Sequence, residues 1–369
     1  MRSRASAAVV GLAMAGSIRQ KAELLAPFAG ALLLFLLAGF SEAQGQQLLP
    51  VVRQPLIAWI TAQKHAPADS LKNFETARSR RELFQALVAA MAGQDWAKAR
   101  LLAQQLGYRL GVFHEANSAF AVASDDSGID PVVIVNLNAA RDVIVQAPHV
   151  PYERGTAEQA IVLLRDLRAR AAIISGAHRC ASRSFTMCNG MTSVCAGDAE
   201  GFRDSDVGHN TRTLFHLAHV VFAERWKNAV VISLHGMSKD HDGVVTSLII
   251  SNGIQANDAG GSTPATRLRY ALAKAMNKPG RVVSCNVRAD SKYNYRPLCG
   301  FTNVQGRHVN GDRDACRIGV TRGTGRFIHL EQDRSVLEPY FEDWARINRY
   351  PIPAALSRSL SAIVPAIRD

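Results

Sequence analysis

The stretch Asp142-Val143-Ile144-Val145-Gln146-Ala147-Pro148-His149-Val150-Pro151-Tyr152-Glu153-Arg154-Gly155-Thr156 decides the fold. An apolar strand runs straight into a His, a Pro and a Glu before a helix begins. In α/β sheets, ligands collect in the crevice beyond the carboxyl ends of the strands, so an imidazole and a carboxylate placed there point to a site. Later segments repeat the arrangement. Ala229-Val230-Val231-Ile232-Ser233-Leu234-His235-Gly236 is a second strand of buried type ending in His, and Arg326-Phe327-Ile328-His329-Leu330-Glu331-Gln332 is a third ending in Glu. Ahead of both, Asp206-Val207-Gly208-His209-Asn210-Thr211-Arg212 opens a helix.

Around these motifs, strand-like and helical runs alternate from residue 131 onward. Strands are expected at 132–135, 143–146, 171–175, 229–234, 244–251, 282–286 and 327–331. Helices are expected at 157–169, 211–223, 264–276, 336–347 and 353–367. The pattern predicts an α/β fold with a mixed, largely parallel sheet flanked by helices. Upstream, Leu83, Leu87, Met91, Ala99, Leu102 and Leu106 fall at helical spacing, interrupted at Gly93-Gln94-Asp95, which predicts two helices with Asp95 at a cap. Short strands at 110–113 and 118–123 follow. The expected organisation is a mainly helical N-terminal region at 44–126 and a catalytic domain at 127–369.

Residues 1–43 read as an export signal, with Arg2, Arg4, Arg19 and Lys21 ahead of the apolar run 26–40 and small residues at Ser41-Glu42-Ala43 for cleavage. Met14 offers an alternative start. The run is too short to favour a stable membrane span once the signal is cleaved. The expected location is therefore periplasmic or secreted, where the 6 cysteines would form three disulfides; the sequence leaves fifteen pairings open. Without a close CxxC pair, a cysteine zinc site is disfavoured. The formal charge is +12, and losing the leader's four basic and two acidic residues leaves +10. That charge suits anionic peptides or polymers, though a merely solvated basic surface accounts for it too. No compact Lys/Arg run interleaved with aromatics is present, so nucleic acid is not the expected partner.

His149 and Glu153 are four apart, a spacing that shares a helix face, but Pro148 and Pro151 oppose a helix there. The pair must converge through a loop, with His235 as the third group. Two His and one carboxylate with an open position form a recurring catalytic zinc set. The competing reading of His149 is a satisfied structural histidine. Glu331 would take the proton of a zinc-activated water as general base, against an ordinary carboxylate at a strand end. Arg212 with Asn210, and Arg307 with Asn310, are candidates to hold a substrate carboxylate in a bidentate fork; either Arg could instead pair with Asp204, Asp206 or Asp312. His209 is a candidate fourth ligand or polariser, whereas His216 and His219 on one helix turn read as core or partner residues.

The order His149, Glu153, Asn210, Arg212, His235, Glu331 resembles that of the zinc carboxypeptidase-like superfamily, particularly its N-formylglutamate amidohydrolase and poly-gamma-glutamate hydrolase branches. Ala147-Pro148-His149 followed by Glu153-Arg154-Gly155-Thr156-Ala157-Glu158 is similar to the polyglutamate hydrolase strand-end motif, and Phe327-Ile328-His329-Leu330-Glu331 resembles the segment bearing the amidohydrolase glutamate. The resemblance implies one zinc ion on His149, Glu153 and His235, with Glu331 directing water at an amide of a small peptide or anionic polymer. Two features depart from it. The His-to-Glu gap is four where carboxypeptidases keep three, which leaves Glu158 as a substitute for Glu153, and the Cys-rich insertion 180–195 has no counterpart. A non-catalytic cell-wall or acidic-polymer binding protein on the same fold is the alternative.

Overall fold

The computed structural model describes residues 49–72, 74, 78–238, 246–277, 280–293 and 296–367; the expected export signal lies outside them. Runs of Val, Ile and Ala form the strands, since branched side chains suit a pleated surface buried on both faces. They are β1 (Val51–Val52), β2 (Arg109–Glu115), β3 (Ser118–Ser124), β4 (Val132–Asn136), β5 (Arg141–Ala147), β6 (Ala169–Ile174), β7 (Met191–Thr192), β8 (Glu200–Gly201), β9 (Val230–Gly236), β10 (Leu248–Ser251), β11 (Val282–Ser284) and β12 (Phe327–Gln332). Ten of them make one sheet in the order β1-β2-β3-β4-β6-β5-β9-β12-β10-β11, and β7 pairs with β8 apart from it. The central strands β6, β5, β9 and β12 are parallel. Antiparallel pairing at β2–β3, β3–β4, β4–β6 and β10–β12 makes the sheet mixed.

Period-two alternation then decides which face each central side chain meets. Val145, Ile232, Leu234, Ile328 and Leu330 enter a core shared with the helices Leu56–Thr61, Thr156–Asp166, Pro264–Met276, Arg334–Glu342 and Pro351–Ile363. On the other face, Ile144, Val231 and Phe327 pack with Arg78–Ala92, Trp96–Leu106 and Leu214–Arg225. Helices therefore cover both faces. Further along that second face, towards the carboxyl ends, the apolar row stops. Gln146 pairs in register with Ser233, Ser233 with His329, and His235 with Glu331. Each buried polar group needs a partner or costs about 1–3 kcal/mol, so this is where the sheet gives up core for chemistry.

Local signals fix the helix ends. Asp95 accepts from Lys98 N–H, Thr213 from His216 N–H and Asp333 from Val336 N–H, each as an N-cap, and Gly107 closes Trp96–Leu106 in the left-handed conformation. The helix expected from 211 starts at Leu214 because Thr213 takes the cap. The helix expected to run through 347 stops at Glu342, followed by a separate 3-10 turn at Trp344–Arg349. The N-terminal boundary expected near 126 is corrected: β1, β2 and β3 belong to the same sheet as the central strands, so residues 51–124 build the domain rather than precede it.

Three disulfides form, Cys180–Cys195, Cys188–Cys316 and Cys285–Cys299. The second ties the excursion after β6 to the segment before β12. No helix among the described residues is long and apolar enough to cross a membrane. The disulfides fit an exported protein.

Candidate metal centre

Parallel β5, β9 and β12 bring their carboxyl ends to one edge of the sheet, and the sequence-predicted ligands meet there. After β5 the chain makes an isolated helical-type turn, with Glu153 N–H donating to the His149 carbonyl at 2.9 Å. Thr156 Oγ1 donates to the Glu153 carbonyl at 2.7 Å and holds the turn against the next helix. The two prolines that oppose a regular helix thus still permit an i,i+4 encounter. His149 Nδ1 lies 2.8 Å from Glu153 Oε1 and 3.2 Å from His235 Nδ1, while His235 Nδ1 lies 3.4 Å from Glu153 Oε2. Ligands about 2.0–2.1 Å from a tetrahedral ion sit about 3.3 Å apart; the two imidazole nitrogens match that spacing at 3.2 Å, whereas Glu153 meets His149 through Oε1 at hydrogen-bond length and His235 through Oε2.

The second nitrogen of each imidazole is held by the protein. His149 Nε2 is 2.9 Å from Asp206 Oδ1, and His235 Nε2 is 3.0 Å from Ser233 Oγ. Both Nδ1 atoms therefore turn towards Glu153, the outer-shell arrangement that orients ligating histidines, with Arg179 Nη1 also 3.3 Å from His149 Nδ1. Glu158 is elsewhere, accepting from Thr61 Oγ1 at 3.2 Å, so Glu153 is the carboxylate beside His149.

Two further donor groups overlap this one, His149 with Asp206 and His209, and His235 with His329 and Glu331. The first already contains its cation. Arg179 donates to Asp206 Oδ2 through Nε at 3.1 Å and Nη2 at 2.6 Å, and its Nη1 is 3.4 Å from Glu153 Oε1. His209 stacks on Phe202 at 3.7 Å between ring centroids and lies 2.8 Å from Asp206 Oδ1, the oxygen that also meets His149 Nε2. In the last group His329 Nε2 is 3.1 Å from Glu331 Oε1, while the buried His329 Nδ1 has no hydrogen-bond partner among the described residues. Glu331 faces His235 across the β9–β12 register, which puts a carboxylate beside the donor set but outside it.

Electrostatics follow the same geometry. Burial and the Arg179 charge push His149 down, but the Glu153 and Asp206 carboxylates outweigh them and raise it to about 9. Burial pushes Glu153 up, yet His149 and His235 hold it well below the usual carboxylate range. Burial, with His329 beside it, keeps His235 neutral. Burial raises Glu331 against the opposing pull of His329, the direction that brings a carboxylate towards neutral-pH proton exchange.

Three of the expected substrate-carboxylate residues, Arg307, Asn310 and Asn210, are held by other partners. Arg307 is buried, donating to the Phe301 carbonyl at 2.8 Å and to Asn189 Oδ1 at 3.2 Å, with Ala315 and Cys316 carbonyls also in reach. Asn310 donates to the Asn252 carbonyl, and Asn210 spans the Asp204 carbonyl and the Arg212 N–H. The Arg212 carbonyl in turn accepts from Arg81. None of the four belongs to the donor groups; Arg307, Asn310 and Asn210 brace the loops around them, while the Arg212 side chain is exposed. Sequence reasoning missed Arg179, Ser233 and His329 as site residues and took Asp206 only as an internal ion-pair partner. His329 carried a legible signal, since i and i+2 on one strand share a face.

No protein-family model and no curated protein matches this chain. Among solved structures, the gene product Atu2144 from Agrobacterium tumefaciens is similar at a TM-score of 0.36 and 13% identity, covering 64% of this chain and 95% of that one. So distant a likeness carries no argument about function.

Proposed function

We propose that the chain is an exported zinc-dependent amidohydrolase that cleaves an amide bond near a carboxylate, in a glutamyl peptide or a related anionic polymer. The convergence of His149 Nδ1, His235 Nδ1 and the Glu153 carboxylate, at 2.8 to 3.4 Å from one another, carries this reading. Neutral imidazole and carboxylate are the donor types zinc takes, and the fixed outer nitrogens suit it. A zinc ion held there would supply Lewis-acid polarisation and lower the pKa of a water. Glu331, raised by burial, would be the general base there, the group to take a proton from a water and return it to the leaving nitrogen. Arg179, which already touches Glu153 and His149 Nδ1 at 3.4 and 3.3 Å, supplies positive charge where a carbonyl oxygen becomes negative.

The same Arg179 contact supports the second reading, a non-catalytic binding protein whose carboxylates are already neutralised from within. Metal analysis of the purified chain, with hydrolysis assays on formylated, gamma-linked and alpha-linked glutamyl peptides, separates the two. One zinc per chain and cleavage that fails in Glu331→Gln are expected. Absence of zinc, with stability unchanged by chelator, would remove the hydrolase reading.

A further inference from the structure

Among the described residues nine large apolar side chains are exposed, and five of them, Phe185, Met187, Met191, Val194 and Ile318, belong to the Cys-rich excursion after β6 or to the segment that Cys188–Cys316 ties to it. Scattered apolar residues on a surface need no explanation, but a contiguous group marks a place that meets a partner. Contiguity here follows from strand register. Met191 pairs with Gly201 and Phe185 with Arg203; Gly201 and Arg203 are two apart, so all four present one face of the ribbon. Gly201 leaves that face open, and the Phe185 ring comes within 3.7 Å of where a Cβ would stand, with the Arg203 guanidinium 5.8 Å from the ring centre. Asn189 N–H donates to the Cys316 carbonyl at 3.1 Å and Asn189 Nδ2 to the Arg317 carbonyl at 2.6 Å, which holds the segment bearing Ile318 against the one bearing Met187.

The base of this lobe is fixed. Phe202 is buried and stacks on His209, Gly190 passes so close to the Phe202 ring that a side chain there would collide with it, and Cys180–Cys195 and Cys188–Cys316 close the loop. Its apolar side chains are therefore held outward. Positive charge accompanies them. Arg313 and Arg317 are exposed on either side of Cys316 and form no ion pair among the described residues. On the acidic side, Arg203 already holds Glu200 at 2.8 Å, and Asp312 and Asp314 accept from the Asp314 and Cys316 N–H groups. Asp198 is the one fully exposed carboxylate of the excursion.

We propose that this lobe docks the protein on an anionic lipid bilayer, with Phe185, Met187, Met191 and Ile318 entering the interface and Arg313 and Arg317 meeting lipid phosphates. Charge complementarity selects the occupant, since free guanidinium forks beside apolar side chains match a surface that carries phosphate above hydrocarbon. Unbranched Met suits a fluid boundary, where no fixed partner shape has to be matched. Five part-exposed side chains are also small beside the roughly 800 Å² that a stable protein interface takes from each partner. The proposal stands apart from the hydrolase reading.

Co-sedimentation of the full chain with vesicles of mixed phosphatidylglycerol and phosphatidylcholine, and with pure phosphatidylcholine vesicles as control, tests it. Binding is expected to be at least about tenfold stronger on the anionic vesicles and to weaken about tenfold or more in the double variant Met187→Ser/Met191→Ser, the worth of two half-buried apolar side chains. Arg317→Gln should cut the preference for anionic vesicles about fivefold. Melting temperatures stay unchanged, because these side chains are exposed. Every chain carries the same residues 26–40, so differences between variants read the lobe. A second readout is local: Phe185→Trp adds one indole to the native 4, and vesicles of brominated phospholipid should quench its emission beyond that of the native chain. Equal sedimentation of the native and double-variant chains overturns the proposal and leaves attraction by net charge alone. An added indole that escapes bromine quenching overturns it as well. A dimer that the double variant breaks, with no vesicle binding, overturns it in favour of a second copy of the chain.

Discussion

Two clusters of buried histidine occupy the same face of the sheet and are built for opposite ends. At the carboxyl edge, His149 and His235 meet Glu153, Asp206 and Arg179, and their Nδ1 atoms converge. One step inward, His219 contacts Gln146 at 2.8 Å and His308 at 3.1 Å, while the buried His216 Nδ1 has no partner among the described residues. Burial, then neighbouring imidazoles, depress the inner pair, His216 to about 3 and His219 well below its ordinary value. His149 goes the other way, because carboxylates face both of its nitrogens. What meets the second nitrogen separates His149 from His219: carboxylates make His149 a charged partner, whereas an amide and another imidazole keep His219 a neutral core group.

The largest expected effect tests the outer cluster alone. Glu331→Gln should lower peptide hydrolysis by roughly 10²–10⁴-fold while zinc is retained, whereas His308→Gln should leave turnover unchanged; steady-state assays on both variants decide whether the clusters act separately. Next comes Arg179→Met, which leaves Asp206 and Glu153 uncompensated in a buried site and should cost about 3–5 kcal/mol in chemical denaturation. A loss below about 1 kcal/mol would mean the outer cluster does not depend on its internal cation.

Acid should strike the inner cluster. The unfolded chain binds a proton at each histidine near pH 6.5, the folded chain at His216 only near 3. Stability from this group is therefore complete above about pH 6.5 and is lost as pH falls towards 3, at about 1.4 kcal/mol per pH unit per histidine. Melting temperatures between pH 7 and 4 should fall less steeply in His219→Gln than in the native chain, and parallel curves would refute the assignment. The smallest effect returns to the outer cluster. With His149 raised to about 9, zinc must displace its proton, so affinity should fall about tenfold per pH unit below that value. Calorimetry at pH 7 in buffers of different ionisation enthalpy should report one proton released per ion.

Much of this was legible in the chain. The alternation of apolar runs placed the strands, and Asp95 placed a helix start, because caps and period-two patterns are local. His149, Glu153, His235 and Glu331 were legible for the same reason: each ends or follows a strand, and parallel strands deliver such ends to one edge. Arg307 misled, since residue type announces a possible fork but not whether backbone carbonyls have already filled it. Arg179 gave no signal, because it follows β6 in an irregular excursion whose path depends on contacts distant in sequence.

By itself the sequence determined the α/β class, the three cysteine pairs as a number, and the chemical types offered at three strand ends. Only the tertiary structure decided which cysteines join, that residues 51–124 enter the main sheet, and that Glu153 rather than Glu158 meets His149. The physical reason is range. Hydrophobic period and capping act over a few residues, whereas ion pairing and imidazole orientation in a buried site depend on atoms dozens to hundreds of residues apart, brought together only once the sheet has closed its register.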